Sequence, residues 1–172
     1  MKTILCTEQH LESIREILNE AIVHSTAIYD YHPRPPEAMR SWFEVKKKGN
    51  FPVIGAEDEA GTLLGFASYG VFRSWPAYKY SVEHSVYVDA AFRGRGVGRL
   101  LMMALIEAAR GQNYHTMIGG IDASNQASIG LHRSLGFTQC ASIKEAGFKF
   151  GRWLDLEFYQ LLLPTPERPM DG

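Results

Sequence analysis

The sequence predicts one α/β domain, and three observations carry that prediction. The chain has 172 residues, close to the usual length of one domain, and a domain of this size buries about 70% of its unfolded surface. Apolar residues recur at helical spacing near the N-terminus. From Phe51 onward, short apolar segments alternate with turns, and one of them leads through a glycine loop into a helix. We assign residues 1–163 to the domain and 164–172 to a proline-rich tail.

Two amphipathic helices are predicted before the first hairpin. The first covers 7–25, where Thr7 is a suitable N-cap and apolar residues follow at spacings of three and four. A proline-rich break at 32–36 separates it from the second helix, over 37–48, which Gly49 ends.

The rest of the chain combines strands with two further helices. A turn at 58–61 between two apolar segments indicates a hairpin, and 81–122 forms a strand, loop, helix and strand unit. The predicted strands cover 51–57, 62–72, 81–89, 115–122, 137–144 and 153–163, and the predicted helices cover 98–110 and 125–135.

The charge balance excludes a protein that attracts polyanions over its whole surface. Eighteen basic and nineteen acidic side chains leave a net charge of −1, so we expect no nucleic-acid or membrane partner and only local anion binding. No apolar run approaches the ~20 residues of a membrane span, and the N-terminus does not resemble a secretory signal, so we expect a cytoplasmic location. Cys6 and Cys140 lack metal-type spacing, which predicts unpaired thiols and no metal site.

The glycine loop at 93–98 is the strongest local indication of anion binding. Glycines let successive backbone N–H groups turn toward one point, and the following helix N-terminus adds further donors. A plain tight turn needs one or two glycines, whereas this loop alternates three glycines with two arginines.

The motif residues that the loop lacks restrict the class of phosphate compound that it can bind. A nucleoside triphosphatase loop requires Gly-Lys-Ser/Thr, but Gly98 is followed by Arg99. A dinucleotide-binding fingerprint requires a third glycine at position 99, which is arginine here. Asp122 at the end of the next strand nevertheless keeps the dinucleotide alternative open. Without Mg²⁺ ligands the phosphate serves as a handle, as the pyrophosphate of coenzyme A does.

Two linked motifs resemble the GNAT acyltransferase superfamily. They are Arg93-x-x-Gly96-x-Gly98 after the strand, and Asn125-x-x-Ser128-x-x-Leu131-His132-x-x-x-Gly136-Phe137 further along the chain. The segments 26–29, 72–75, 82–88 and 149–155 are similar to the phosphinothricin and methionine sulfoximine N-acetyltransferases. The resemblance implies a GNAT fold, a mixed and mostly antiparallel sheet flanked by helices, whose splayed strands form an acetyl-CoA cleft. It also implies a homodimer in which 149–153 contributes near the substrate site.

The resemblance further implies which residues bind the two substrates. The strand main chain would hold the pantetheine arm, and the glycine loop would hold the pyrophosphate. The implied acetyl-CoA residues are Val86, Tyr87, Val88, Arg93, Gly94, Arg95, Gly96, Val97, Gly98, Arg99 and Asn125, and the implied amino-acid residues are Arg73, Ser74, Trp75, Glu83, His84 and Ser85. Two positions depart from the family: Val71 replaces a common Asp, and His132 replaces a common Tyr.

The chemistry of acetyl transfer suggests catalytic roles. An ammonium group must lose a proton before it attacks, and Glu83 is the carboxylate on the polar face of its strand, so we predict that it accepts this proton through a water. A merely exposed strand residue is the alternative. The N–H of Val88 is the candidate donor to the oxyanion. His132 either protonates the departing thiolate or packs in the core, and His84 either contacts substrate or is a core or interface histidine.

Arg73 and Trp75 lie on a loop after the hairpin. Arg73 could clamp a carboxylate with two parallel hydrogen bonds or be a surface residue, and Trp75 could wall a pocket or anchor a surface. We predict transfer of an acetyl group from acetyl-CoA to the α-amino group of methionine sulfoximine, methionine sulfone, phosphinothricin or a similar amino acid, by direct attack in a ternary complex. The alternatives are a peptide or protein N-terminal acetyltransferase and a non-catalytic acyl-CoA or dinucleotide sensor.

Overall fold

Seven strands and four helices make up the computed structural model, which describes residues 1–171. Their bounds are β1 Lys2–Leu5, α1 Leu11–His24, α2 Pro36–Lys48, β2 Val53–Glu57, β3 Leu63–Val71, β4 Ser81–Val88, α3 Val97–Gly111, β5 Thr116–Asp122, α4 Gln126–Ser134, β6 Thr138–Lys149 and β7 Arg152–Leu162. The strands form one sheet in the order β1-β2-β3-β4-β5-β7-β6.

The sheet is mixed, as expected. β4 and β5 are parallel, with Ser81 opposite Thr116 and Glu83 opposite Ile118. The pairs β1–β2, β2–β3, β5–β7 and β6–β7 are antiparallel. The predicted α/β fold with a mostly antiparallel sheet is therefore confirmed.

The N-terminal strand β1 is absent from the prediction. It spans only four residues and pairs with β2, with Lys2 opposite Glu57. So short a segment has too few residues to display an alternating pattern. The first helix also begins later than predicted, at Leu11, because residues 8–10 form a 3₁₀ turn in which the N–H of Thr7 donates to Nδ1 of His10 over 2.9 Å.

Both strands of the β6–β7 hairpin extend further toward the turn than predicted. Its turn consists of Phe150 and Gly151, which both have positive φ, 52° and 72°. The pairing shifts register between Ile143 and Gly147, where Glu145 has a φ of 51°. This irregularity breaks the period-two pattern, which explains why the sequence does not indicate a continuous strand there.

The chain divides into two compact units. The first contains residues 1–68 and 85–105, and the second contains 69–84 and the residues from 106 onward. In the first unit α1 and α2 contribute to one apolar cluster around Ile14, Ile22 and Met39, all at most 1% exposed. Residues of β2 and β3, among them Phe66, complete that cluster.

The C-terminal tail is bound to the second unit. Nδ1–H of His115 donates to the carbonyl of Thr165 over 2.9 Å, and the N–H of Met170 donates to the hydroxyl of Tyr80 over 3.2 Å. Gly172, the last residue of the predicted tail, lies outside the described residues. No helix within residues 1–171 has the length and apolar character that a membrane crossing requires.

Candidate active site

The glycine loop opens directly into the N-terminus of α3. Gly94 and Gly96 adopt left-handed conformations with φ of 76° and 82°, and an added Cβ on either would meet no atom within 4 Å. Glycine is therefore favoured at these positions by the backbone conformation and not by a lack of space. Val97 is buried as α3 begins, Gly98 lies in the first turn, and the N–H of Leu100 donates to the carbonyl of Gly96 over 3.0 Å. The loop backbone and this helix end together offer anion-binding donors.

The strand that precedes the loop packs tightly on β3 within the first unit. A Cβ on Gly65 would lie 2.7 Å from the carbonyl oxygen of Tyr87 and 3.1 Å from Cα of Val88. Glycine at this position thus permits a close backbone approach. The Tyr87 ring lies 5.4 Å from that of Phe66 and packs against the apolar cluster, so its side chain supports the strand while Val86 and Val88 are half-buried.

Arg93 fixes the loop through two contacts in the same unit. Its Nε–H donates to the carbonyl of Val88 over 3.1 Å, and its Nη2 donates to the carboxylate of Glu20 on α1. The sequence did not single out Glu20, because an acidic residue on a surface helix carries no special pattern. Arg95 is exposed and its guanidinium lies 5.4 Å from the Phe92 ring centre, and Arg99 is exposed on α3.

Burial alternates along the first part of β4, in the second unit. Val82 and His84 are 0% and 7% exposed, whereas Glu83 between them is exposed. The predicted assignment of these residues to opposite faces of the strand is therefore confirmed. Ser85 follows as a half-buried residue.

The carboxyl of Glu83 lies in an environment that favours its protonated form. Its partial enclosure by protein raises the pKa of Glu83, and the positive charge of Arg73 opposes that change by lowering the pKa, which remains above its usual value. Arg73 is exposed, and its guanidinium lies 5.3 Å from the Phe72 ring centre. Ser74 is exposed beside it, and Trp75 is 72% exposed. A Cβ on Gly120 would lie 3.5 Å from Oε1 of Glu83.

The two histidines of the predicted site meet in the interior of the second unit. Nε2 of His84 lies 2.8 Å from Nε2 of His132. Nδ1 of His84 lies 2.8 Å from the carbonyl oxygen of Ile118, and Nδ1 of His132 lies 2.7 Å from that of Ser128. Phe137 packs on both rings, with centroids 5.3 and 5.1 Å away. The sequence did not indicate that these histidines are partners.

Burial opposes the charged form of both histidines. Burial, together with the charge of His132, lowers the pKa of His84 to about 3, and burial also lowers the pKa of His132. His132 has contacts at both ring nitrogens. Asn125 caps α4, since its Oδ1 accepts from the N–H of Ser128 over 3.1 Å.

Metal ligation is not indicated in the part of the chain that the structure describes. Residues 1–171 contain no group of three or more His, Cys, Asp or Glu side chains that could hold a metal ion. Cys6 is buried and Cys140 is exposed, and both are free thiols.

The chain is similar to acetyltransferases over nearly its whole length. The L-methionine sulfoximine/L-methionine sulfone acetyltransferase of Pseudomonas aeruginosa is 45% identical over 160 residues, which cover 92% of this chain and 93% of that relative. A solved structure from Acinetobacter baylyi is 56% identical, with a TM-score of 0.98, and the match covers 99% of this chain and 96% of that one. A phosphinothricin acetyltransferase from Sinorhizobium meliloti, solved in complex with acetyl-CoA, is 33% identical with a TM-score of 0.94, over 99% and 94% of the two chains.

The family model described as "Acetyltransferase (GNAT) family" matches residues 11–137, which include the glycine loop, both histidines and Glu83. The predicted resemblance is thus confirmed by sequence and by structure. This chain belongs to the GNAT family of acetyltransferases.

Proposed function

We propose that this chain transfers the acetyl group of acetyl-CoA to the α-amino group of a small amino acid. The observation that carries the proposal is the position of the Glu83 carboxyl. The charge of Arg73 acts on this carboxyl, and its strand, β4, continues through 86–88 toward the glycine loop. The names of relatives, which refer to methionine sulfoximine, methionine sulfone and phosphinothricin, support this substrate class. In this proposal residues 1–163 act as one catalytic domain.

Glu83 is the proposed proton acceptor. The amino acid arrives as an ammonium ion, and its attack requires a nitrogen lone pair. The ionised carboxylate takes the proton through a water, and its exposure lets it return that proton to solvent. Its raised pKa brings it nearer to that of the group it deprotonates, which favours the transfer.

The remaining groups bind the substrates and stabilise developing charge. The loop backbone over 94–98 and the start of α3 hold the pyrophosphate, with Arg95 and Arg99 nearby in sequence, while Arg93 holds the loop. The N–H of Val88 donates to the thioester oxygen as it becomes an anion, a type of contact whose loss costs roughly 3–4 kcal/mol in comparable enzymes. Arg73 pairs with the α-carboxylate of the amino acid.

A coenzyme A release assay tests this proposal. The panel contains methionine sulfoximine, methionine sulfone and phosphinothricin, and each compound is paired with its carboxamide. We expect the free acids to support release of coenzyme A and the amides to do so much more weakly, because an amide carries no charge for Arg73. Release no faster than thioester hydrolysis with every amine would overturn the proposal. Preference for the amides would instead indicate a peptide N-terminus as acceptor.

We further propose a homodimer that uses the β6–β7 hairpin. β6 is at the sheet edge, and large apolar side chains are exposed on the hairpin, including Phe148 at 45% and Trp153 at 59%. Unpaired edges and exposed apolar groups favour association with a second chain. Sedimentation should give a mass of two chains, and Trp153→Lys should reduce it to one, whereas Val45→Lys, at an exposed apolar residue of α2, should not. A native mass of one chain would contradict this arrangement.

The two free thiols suit the cytoplasm, where we propose the protein acts.

A further inference from the structure

The contacts of His84 and His132 require more protons than two neutral rings carry. A carbonyl oxygen only accepts hydrogen bonds, so Nδ1 of each ring must carry a proton to bond to Ile118 and Ser128. A neutral imidazole has one N–H, which leaves both Nε2 atoms as acceptors. Those two acceptors lie 2.8 Å apart, the distance of a hydrogen bond. One additional proton would turn this contact into a hydrogen bond.

We propose that His84 and His132 bind one proton jointly, between their Nε2 atoms, and that His84 is a positioning residue which lets the buried His132 hold the proton that the departing thiolate requires. The catalytic part of this inference rests on the proposed function. The shared proton itself rests only on the three contacts.

The surroundings of the pair explain why it takes up one additional proton and not two. Burial and mutual repulsion lower the pKa of His84, and burial lowers that of His132, whereas the carbonyls of Ile118 and Ser128 each raise the pKa of the histidine they contact. Sharing places a single charge across both rings, so the pair titrates as one unit.

Few charged groups lie near this pair. The elements packed against it are β5 with Ile118 and Gly119, α4 with Ser128, and Phe137, which carries no charge. On β7 the Tyr159 ring lies 6.5 Å from that of His132. Its hydroxyl donates to Glu157 over 2.9 Å and accepts from Arg133 over 3.2 Å, so both charged side chains are bonded to that hydroxyl. Glu83 adjoins His84 in sequence but is on the opposite face of β4.

Gly119 provides the space for the contact between the rings. A Cβ at this position would lie 2.5 Å from Cε1 of His84, 3.1 Å from its Nε2 and 3.4 Å from Nε2 of His132. Residue 119 therefore has to lack a side chain if the two Nε2 atoms are to meet. This glycine is a member of the site that the sequence did not indicate, although a glycine inside a strand is a known sign of close approach.

The proton balance of the reaction has a place for this pair. The amine nitrogen attacks the thioester carbon, the C–S bond breaks, and its electron pair leaves on sulfur. The shared proton moves to that sulfur, and both rings become neutral. The attacking nitrogen releases its proton to water, and the pair regains one from solvent. Glu83 has already passed the first ammonium proton to solvent. The overall reaction therefore converts one ammonium and one thioester to one amide, one thiol and one proton.

Nitrogen-15 spectra of the histidine rings in the native chain test the shared proton without any enzyme assay. His84→Gln and His132→Gln identify the two rings among the six histidines. We expect both rings to be neutral and protonated at Nδ1 at about pH 9, and to take up one proton at a common midpoint on titration toward about pH 4. A permanent Nε2–H on either ring, two separate midpoints, or no uptake over this range would overturn the proposal.

Kinetics of His84→Gln test the role of His84. The glutamine amide can donate permanently to Nε2 of His132, which blocks that nitrogen. We expect kcat to fall by about 100-fold, the lower end of what positioned proton transfer contributes, and the limb of the pH profile that belongs to the pair to disappear. An unchanged kcat and pH profile would refute the catalytic role while leaving the spectroscopic result intact.

Gly119→Ala provides a second variant that keeps both histidines. Its Cβ would displace the His84 ring, so we expect the same loss of the pH limb and separate titration of the two rings. The matched control is Gly130→Ala, on the exposed side of α4, where an added Cβ meets no atom within 4 Å. Native titration of the pair in Gly119→Ala would contradict the proposed geometry. If no amine supports coenzyme A release by the native chain, the proposed function fails, and the spectra still decide whether the proton is shared.

Discussion

Glu83 and His84 are consecutive residues of β4, yet their environments are opposite. Glu83 is exposed, and the charge of Arg73 lowers the pKa of its carboxyl while partial enclosure raises it. His84 is 7% exposed, and its ring nitrogens contact the carbonyl of Ile118 and Nε2 of His132. The alternation of a strand thus places two consecutive titratable groups in opposite surroundings. The two faces are also distinguished on β5, where Gly120 lies next to Glu83 and Gly119 lies next to His84.

Removing the carboxylate tests the exposed side most severely. We expect Glu83→Gln to lower kcat/KM at neutral pH by about 10²–10⁴-fold, because it removes the proposed proton acceptor. Acetyl-CoA binding, measured by calorimetry, should remain at the native level, since the proposed acetyl-CoA residues are at 86–88, 93–99 and 125. Turnover equal to that of the native chain would exclude Glu83 from the mechanism.

Neutralising Arg73 tests how the exposed side is tuned. In Arg73→Gln the KM for a free amino acid should rise by about tenfold, as expected for a lost hydrogen bond between charged groups. Because Arg73 lowers the pKa of Glu83, its loss raises that pKa. Glu83 is active when ionised, so the acid limb of kcat/KM against pH should move to higher pH. An unmoved limb, or an equal rise in KM for the carboxamide, would count against this arrangement.

Adding one methyl group on either side of β5 compares the two regions directly. We expect Gly119→Ala to destabilise the fold by about 1–3 kcal/mol, because its Cβ would lie 2.5 Å from His84. In Gly120→Ala the nearest atoms are 3.4 and 3.5 Å away, so we expect a gain of about 0.4–1 kcal/mol from reduced freedom of the unfolded chain. Urea denaturation measures both. Equal effects would show that the crowding is not confined to the histidine side.

The smallest expected effect concerns the hydroxyl of Ser128. This oxygen lies 3.4 Å from Nδ1 of His132, whereas the carbonyl of the same residue lies 2.7 Å away. Since the carbonyl is the main acceptor, Ser128→Ala should change the free energy of unfolding by no more than about 0.5 kcal/mol and leave the histidine titration unaltered. A shifted titration would mean that the hydroxyl takes part in holding the ring.

Most of the fold could be predicted from local patterns. Periodicity and turn residues gave α1, α2 and the strands of the central sheet, since these signals depend on neighbours within a few residues. β1 was missed because four residues carry too little pattern, and the ends of the β6–β7 hairpin were missed because the irregularity at Glu145 interrupts the alternation.

The candidate site could be predicted only in part, for a related reason. Glu83 and the glycine loop are recognisable from their own segments. The contact between His84 and His132 joins residues 48 positions apart, and the bond from Arg93 to Glu20 joins residues 73 positions apart. Such pairings depend on how the elements pack, and no local pattern contains that information.

The pleat of β4 restricts how this site can change over evolutionary time. A one-residue insertion inside β4, between Ser81 and Glu83, would reverse the faces of the residues on one side of it relative to those on the other, because side chains change face at every step. The exposed loop at 72–80 is under no such restriction, since its length does not set the register of the strand. We therefore expect homologues to vary this loop, which contains the proposed amino-acid-binding residues 73–75, while the strand keeps its length, so that substrate range diverges and the proposed proton chemistry does not.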